Sequence, residues 1–228
     1  MGCVWVPTNF RLAPSEVAYL GASSGAVAML VEPVFAEHAQ AVQAASPALK
    51  HVLWIGEAPA GALSYEALVQ QHLGAAPAEA TVGYDDPLRF FYTSGTTGKP
   101  KAAILTHGQM NFVVTNHLAD LCPGTNEFDV SIAVAPLSHG AGVHALLNVA
   151  RGAATVLLPS EKLDPAMVWQ LVERHRVSNL FTVPTIVKML VEHPAVDQFD
   201  HSSLRFVIYA GAPMYRADQH GQLHLRLS

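Results

Sequence analysis

Short apolar runs alternate with amphipathic helical patterns along almost the whole chain, and this alternation restricts the possible folds more than any other feature. The runs at 26–31, 51–55, 130–134, 154–158, 179–183 and 206–209 have the length and the Val, Ile and Leu content of buried strands. Helical patterns fall between them, over 34–45, 64–73, 108–121 and 184–192. Another helix opens at Asp164-Pro165, where a capping carboxylate precedes a proline at the first turn. Met110, Val113, Val114, His117, Leu118 and Leu121 recur on one face of the 108–121 helix; Val168, Leu171, Val172 and His175 line that of the Asp164 helix. Residues 3–6 are strand-like, 74–86 read as a surface connection, and Val168, Leu171, Met189 and Leu190 are expected in the core rather than in a substrate tunnel. Strand–helix alternation of this kind predicts an α/β fold of mostly parallel sheets flanked by helices.

In such sheets ligands bind beyond the carboxyl ends of the strands. Three polar or glycine-rich turns are expected there: 93–101 after the Leu88-Arg89-Phe90-Phe91 run, Ser138-His139-Gly140 after 130–134, and Ala210-Gly211-Ala212-Pro213 after 206–209. The first is the most specific. Tyr92-Thr93-Ser94-Gly95-Thr96-Thr97-Gly98-Lys99-Pro100-Lys101 concentrates hydroxyls, glycines and two lysines on one loop. Such a loop can turn backbone N–H groups and hydroxyls inward around a polyphosphate, and its lysines add mobile positive charge. It is not a Walker A loop, which needs four residues between its glycines; here two separate Gly95 from Gly98. Pro100 also biases Lys99 away from helical dihedrals, so the next helix is expected near Thr106-His107.

Half of the 228 residues are hydrophobic and 14% are charged, which fits a buried sheet and excludes a disordered chain. The net charge of -5 argues against nonspecific nucleic-acid binding. Cys3 and Cys122, far apart, form no disulfide or zinc framework, so a reducing, cytoplasmic setting is expected. The Ala/Gly-rich stretch 17–31 is too interrupted for a membrane span. His139 and His144 do not have the H-E-x-x-H spacing of a zinc site. His117, His175 and His193 read as helix surface or satisfied core.

The 92–101 run resembles the signature loop of the adenylate-forming (AMP-binding) superfamily, which includes acyl-CoA synthetases, acid–CoA ligases and luciferases. The resemblance extends over nearly the whole chain and in the family's order. Val6-Pro7-Thr8-Asn9 with Arg11-Leu12-Ala13-Pro14 resembles an early segment of the family's large domain, Pro136-Leu137-Ser138-His139 its histidine-bearing turn beside the acyl pocket, and Tyr209-Ala210-Gly211-Ala212-Pro213 its adenine turn. The resemblance implies an ATP-dependent ligase. A carboxylic acid attacks the α-phosphate of ATP, and coenzyme A then takes the acyl group as a thioester. It implies that Thr93, Ser94, Gly95, Thr96, Thr97, Gly98, Lys99 and Lys101 hold the β- and γ-phosphates, with Mg2+ carried on ATP beside Thr96. It places His139, Gly140 and Gly142 at the acid site, and Gly211, Ala212 and Pro213 against adenine. Thr96, Lys101 and His139 are the implied catalytic groups.

The chain departs from the family pattern in two ways. Ala102 stands where the family commonly has glycine. The family's Tyr-Gly-x-Thr-Glu stretch, hinge and C-terminal lid domain have no counterpart, and 219–228 do not resemble its continuation. Residues 1–228 are therefore expected to be a partial large domain. The alternatives to a ligase are a nucleotide-binding remnant that cannot turn over, and an interaction protein on the same fold. The acid is open among fatty, hydroxycinnamate and benzoate-type acids, with a fatty or aryl acid and CoA favoured by the resemblance. The small residues of 139–148 suggest room for its chain or ring.

Overall fold

The structure is a computed structural model that describes residues 2–93, 98–160 and 162–214. It divides into two compact units, Met1–Gln109 and Met110–Ser228.

In the first unit, helix α1 (Pro14–Ser24) begins where the Glu16 carboxylate accepts the Ala13 N–H at 2.7 Å. It ends at Gly25, whose φ of 64° suits a left-handed cap. Strands β1 (Ala28–Val31), β2 (His51–Trp54) and β3 (Leu63–Ser64) form a parallel sheet in that order, with α2 (Ala36–Ala45) crossing between β1 and β2. Val31 pairs with Trp54, and both are buried with Ala39 of α2. Helix α3 (Tyr65–Gln71) follows, capped by the Ser64 hydroxyl. Strands β4 (Pro87–Thr93) and β5 (Lys101–Thr106) form an antiparallel pair.

Three expectations change here. Helix α4 (His107–Asn116) begins where expected, but the phosphate loop closes a hairpin, and the unforeseen strand β5 intervenes before the helix. Residues 3–6 contribute a single parallel bridge, Trp5 to Arg89. The helix expected over 108–121 is α4 followed by a π-helical turn, His117–Leu121, where the His117 ring nitrogen bonds the Val113 carbonyl at 2.8 Å.

In the second unit, β6 (Val130–Ala133), β7 (Ala154–Leu157), β8 (Asn179–Thr182) and β9 (Phe206–Tyr209) form a wholly parallel sheet in the order β7-β6-β8-β9. Helices α5 (Gly140–Arg151), α6 (Pro165–His175) and α7 (Pro184–Glu192) connect them. Asp164 caps α6 by accepting the Ala166 N–H at 2.9 Å. Ile132 and Leu180 meet Val168, Trp169 and Val172 of α6 and Leu190 of α7 in the main core. Trp169 closes this contact by donating its indole N–H to the Leu190 carbonyl at 3.0 Å.

One expected core position lies outside: Met189 of α7 is 43% exposed, at the margin of a helix stripe whose centre, Val187 and Leu190, takes the buried contacts. His175 is exposed, as a helix-surface histidine. The small residues of 139–148 fall mostly in α5, a full helix ended by Gly152 at φ 72°.

Candidate functional site

The hairpin loop of the first unit is framed by described residues on both sides; Ser94, Gly95, Thr96 and Thr97 lie outside the described residues. Thr93 and Lys101 face each other across the two strands. Gly98 has a φ of 90°, a conformation that side-chain-bearing residues rarely take, so the turn needs glycine there. Lys99 and Lys101 are exposed. The Lys99 ammonium stands 5.6 Å from the centroid of the Tyr19 ring. The Tyr19 hydroxyl donates to the Pro100 carbonyl at 3.2 Å, and the Ser23 and Tyr92 hydroxyls share a hydrogen bond of 2.7 Å. Sequence reasoning missed Tyr19 and Ser23, since nothing local ties α1 to a loop so far along the chain.

Strand β4 is anchored through Arg89, which is 2% exposed and has its guanidinium 5.0 Å from the ring centroids of Trp5 and Phe91.

The second unit carries the other two turns on one edge of one sheet. The chain runs outward from β6 to β7, then returns across β6 to β8 and β9, so the direction of winding reverses between β6 and β8. That switch point, at the carboxyl ends, is where a parallel sheet opens a crevice. His139 follows β6, is exposed, and precedes the first turn of α5. Its Nδ1 lies 3.2 Å from the Ser138 hydroxyl. Gly211 follows β9 with a φ of 90°, and Ala212 and Pro213 beside it are exposed. One strand, β8, separates β6 from β9, a span of roughly 10 Å. The His139 turn and the 210–213 turn therefore share an edge, while the lysine-bearing loop belongs to the first unit.

Gly140 and Gly142 are used by packing. A Cβ on Gly142 would stand 1.9 Å from the Leu137 carbonyl oxygen, and one on Gly140 would stand 2.7 Å from the Phe181 ring. The turn and α5 meet so closely that only glycine fits. The cavity among Ser131, Leu137, Ala141, His144, Thr155 and Phe181 measures about 10 Å³. That is water-sized, so within this cavity the small residues serve close approach.

Beneath this edge is a buried polar cluster that sequence reasoning did not assemble. His144 Nε2 lies 2.9 Å from Asn179 Oδ1, and Asn179 Nδ2 donates to Asn148 Oδ1 at 3.2 Å. Its signal was present in the sequence, as His144 and Asn148 four apart on a helix otherwise apolar until Arg151 in its last turn. Burial is the main cause that pushes the His144 imidazole down to about 4, so it is neutral at pH 7. Among the described residues no group of three His, Cys, Asp or Glu side chains could hold a metal ion.

A shallow cleft of about 700 Å³ lies at the opposite, amino edge of the sheet, lined by Asp129, Arg174, Arg176, Ser178 and Arg205. Its size does not make it the site, because Asp129 already pairs with Arg205 and parallel sheets bind ligands at the other edge.

Residues 1–221 match the AMP-binding enzyme family. The chain is 38% identical over 215 residues to a feruloyl-CoA synthase of Amycolatopsis sp., covering 93% of this chain and 40% of that protein. It superposes on the crystal structure of the anthranilate CoA ligase AuaEII in complex with anthranoyl-AMP with a TM-score of 0.85, over 97% of this chain and 43% of that one, at 24% identity, a likeness of fold. The N-terminal domain of FACL13 from Mycobacterium tuberculosis superposes with a TM-score of 0.78 at 27% identity, over 97% of this chain and 54% of that one. The chain thus spans about 40% of the length of its curated relatives. No helix among the described residues is long and apolar enough to cross a membrane.

Proposed function

The chain belongs to the AMP-binding enzyme family, and from that premise we propose that it supplies the ATP- and acid-binding part of a carboxylic acid–CoA ligase. The observation that carries this reading is the β4–β5 hairpin, which bears Gly98 at positive φ, an exposed Lys99 beside it and an exposed Lys101 at the start of β5. In this reading Thr93 to Lys101 cradle the β- and γ-phosphates. Gly211, Ala212 and Pro213 offer a flat, small-residue surface to adenine, and His139 borders the acid.

The chemistry asks for charge neutralisation more than for a base, since a carboxylate is already ionised at pH 7. Its oxygen attacks the α-phosphorus, the bond to the bridging oxygen breaks, and pyrophosphate leaves with the electron pair. Lys99, Lys101 and the loop donors offset the charge that grows on that leaving group. The thiol of coenzyme A then attacks the acyl carbon, loses its proton and expels AMP. Magnesium suits the site as a hard cation on phosphate oxygens and threonine hydroxyls; no described acidic cluster provides a protein cage for it. When bound, it would add positive charge at the phosphates.

The feruloyl-CoA synthase relative supports an aryl acid of the hydroxycinnamate type as the substrate. Two distant cysteines fit a reducing compartment, the cytoplasm. The test is acid-dependent exchange of labelled pyrophosphate into ATP, with ferulate, benzoate and a long-chain fatty acid compared. Exchange strongest with ferulate is expected. ATP binding with no exchange for any acid would favour a nucleotide-binding remnant instead.

A further inference from the structure

Helix α1 touches the lysine-bearing hairpin on both sides of its loop with one face. Tyr19 and Ser23 are four residues apart and so lie one above the other on the helix. Ser23 hydrogen-bonds the hydroxyl of Tyr92, on the stem that enters the loop, at 2.7 Å. Tyr19 donates to the carbonyl of Pro100, the residue just before the stem that leaves it, at 3.2 Å, and its ring lies under the Lys99 ammonium at 5.6 Å.

We propose that Tyr19 and Ser23 are positioning residues for the phosphate-binding hairpin: together they clasp it on both sides of its loop, and the Tyr19 ring keeps Lys99 poised for the outer phosphates of a nucleoside triphosphate. This rests on the reading of the hairpin as a phosphate cradle. Three physical points support it. First, the clasp is mounted on a firm element. Val17 and Leu20 of α1 are buried, and a Cβ on Gly21 would stand 2.6 Å from the Val42 side chain, so α1 sits tight against α2. Second, a lysine side chain loses much rotamer freedom when it grips a ligand, and holding it in advance lowers that cost. Third, a cation–π contact at an exposed lysine is weak, so Lys99 can exchange the ring for a phosphate oxygen, where a charge-assisted hydrogen bond is stronger.

Neither residue is asked to touch the nucleotide, and the clasp acts on the hairpin alone. It should therefore matter for the β- and γ-phosphates and not for the adenosine monophosphate part. Binding of Mg-ATP and of AMP to the whole chain, measured by titration calorimetry, reads the difference. Tyr19→Phe and Ser23→Ala each remove one hydrogen bond and should weaken Mg-ATP about threefold to fivefold. Tyr19→Leu also removes the ring and should weaken it by about tenfold or more. AMP affinity and the melting temperature should stay at wild-type values in Tyr19→Phe, and the retained ring should restore part of what Tyr19→Leu loses. Equal loss for ATP and AMP, or unchanged ATP affinity in all three variants, overturns the clasp while leaving the cradle intact. A wild-type chain that binds AMP but gains nothing from the two further phosphates overturns the cradle and the clasp together.

Discussion

His144 Nε2 lies 2.9 Å from Asn179 Oδ1, and this bond decides the state of the ring. Asn179 Nδ2 donates to Asn148 Oδ1 and to the Ser178 hydroxyl, so Oδ1 is the accepting end and His144 Nε2 carries the proton. Nδ1 is then an unprotonated acceptor, buried and without a hydrogen-bond partner among the described residues. Protonating it would place a charge in a helix–sheet contact that is 2% exposed.

The pH dependence follows. The imidazole titrates near 6.5 when unfolded and at about 4 when folded, so between these values the unfolded chain holds more protons. The stabilisation is complete above pH ~6.5 and is lost as the pH falls to about 4, some ~3 kcal/mol in all. Urea unfolding at pH 7.5 and 4.5 should reveal the loss, and His144→Asn should flatten it. Parallel curves for the two proteins would assign the acid sensitivity to other groups.

Gly142→Ala should destabilise the chain by about 3 kcal/mol, because the new methyl meets the Leu137 backbone oxygen, which cannot swing aside. Val149→Ala on the same helix, 71% exposed in the wild type, should stay within about 0.5 kcal/mol. Similar urea midpoints for the two variants would contradict the close turn–helix approach.

Burial raises the Cys122 thiol to about 11 and leaves it no exposed surface, whereas Cys3 is exposed. Alkylation of the native chain at pH 8 should therefore label Cys3 first, and Cys122 only after denaturation. Rapid native labelling of Cys122 on peptide mapping would show that the β6 end of the second unit opens readily.

Thr96→Ala should slow acid-dependent pyrophosphate exchange by roughly a hundredfold to a thousandfold, the effect of losing one donor to a developing charge. A rate within about twofold of wild type would remove Thr96 from the phosphate cradle.

The sequence made the second sheet legible because its strands are short, mainly apolar runs rich in Val, Ile, Leu and Phe, and two of its helices open with strong start signals, Asp164-Pro165 and Pro184. Strand β5 was hidden because four of its six residues are exposed and it follows a proline, leaving little burial pattern to read. Helix α5 was obscured by Gly140 and Gly142, which lower helix propensity, and by His144 and Asn148, whose partner Asn179 is supplied by β8. The contacts of Tyr19 and Ser23 span 81 and 69 residues, and no local pattern announces a pair so distant. The turns at 93–101, 138–140 and 210–213 were legible as polar or glycine-rich segments after apolar runs, and the family resemblance supplied their individual roles. Their neighbours in space became visible only once the strands were ordered.

The proposed ligase chemistry stands on one step, attack of a carboxylate on the α-phosphate of ATP. It is tested most directly with an acid labelled with 18O in its carboxylate, Mg-ATP, and hydroxylamine as the trapping nucleophile. Attack at the α-phosphorus leaves one acid oxygen bridging to AMP, so the released AMP should carry one 18O and the pyrophosphate none. Unlabelled AMP, or label in inorganic phosphate or pyrophosphate, would contradict the account.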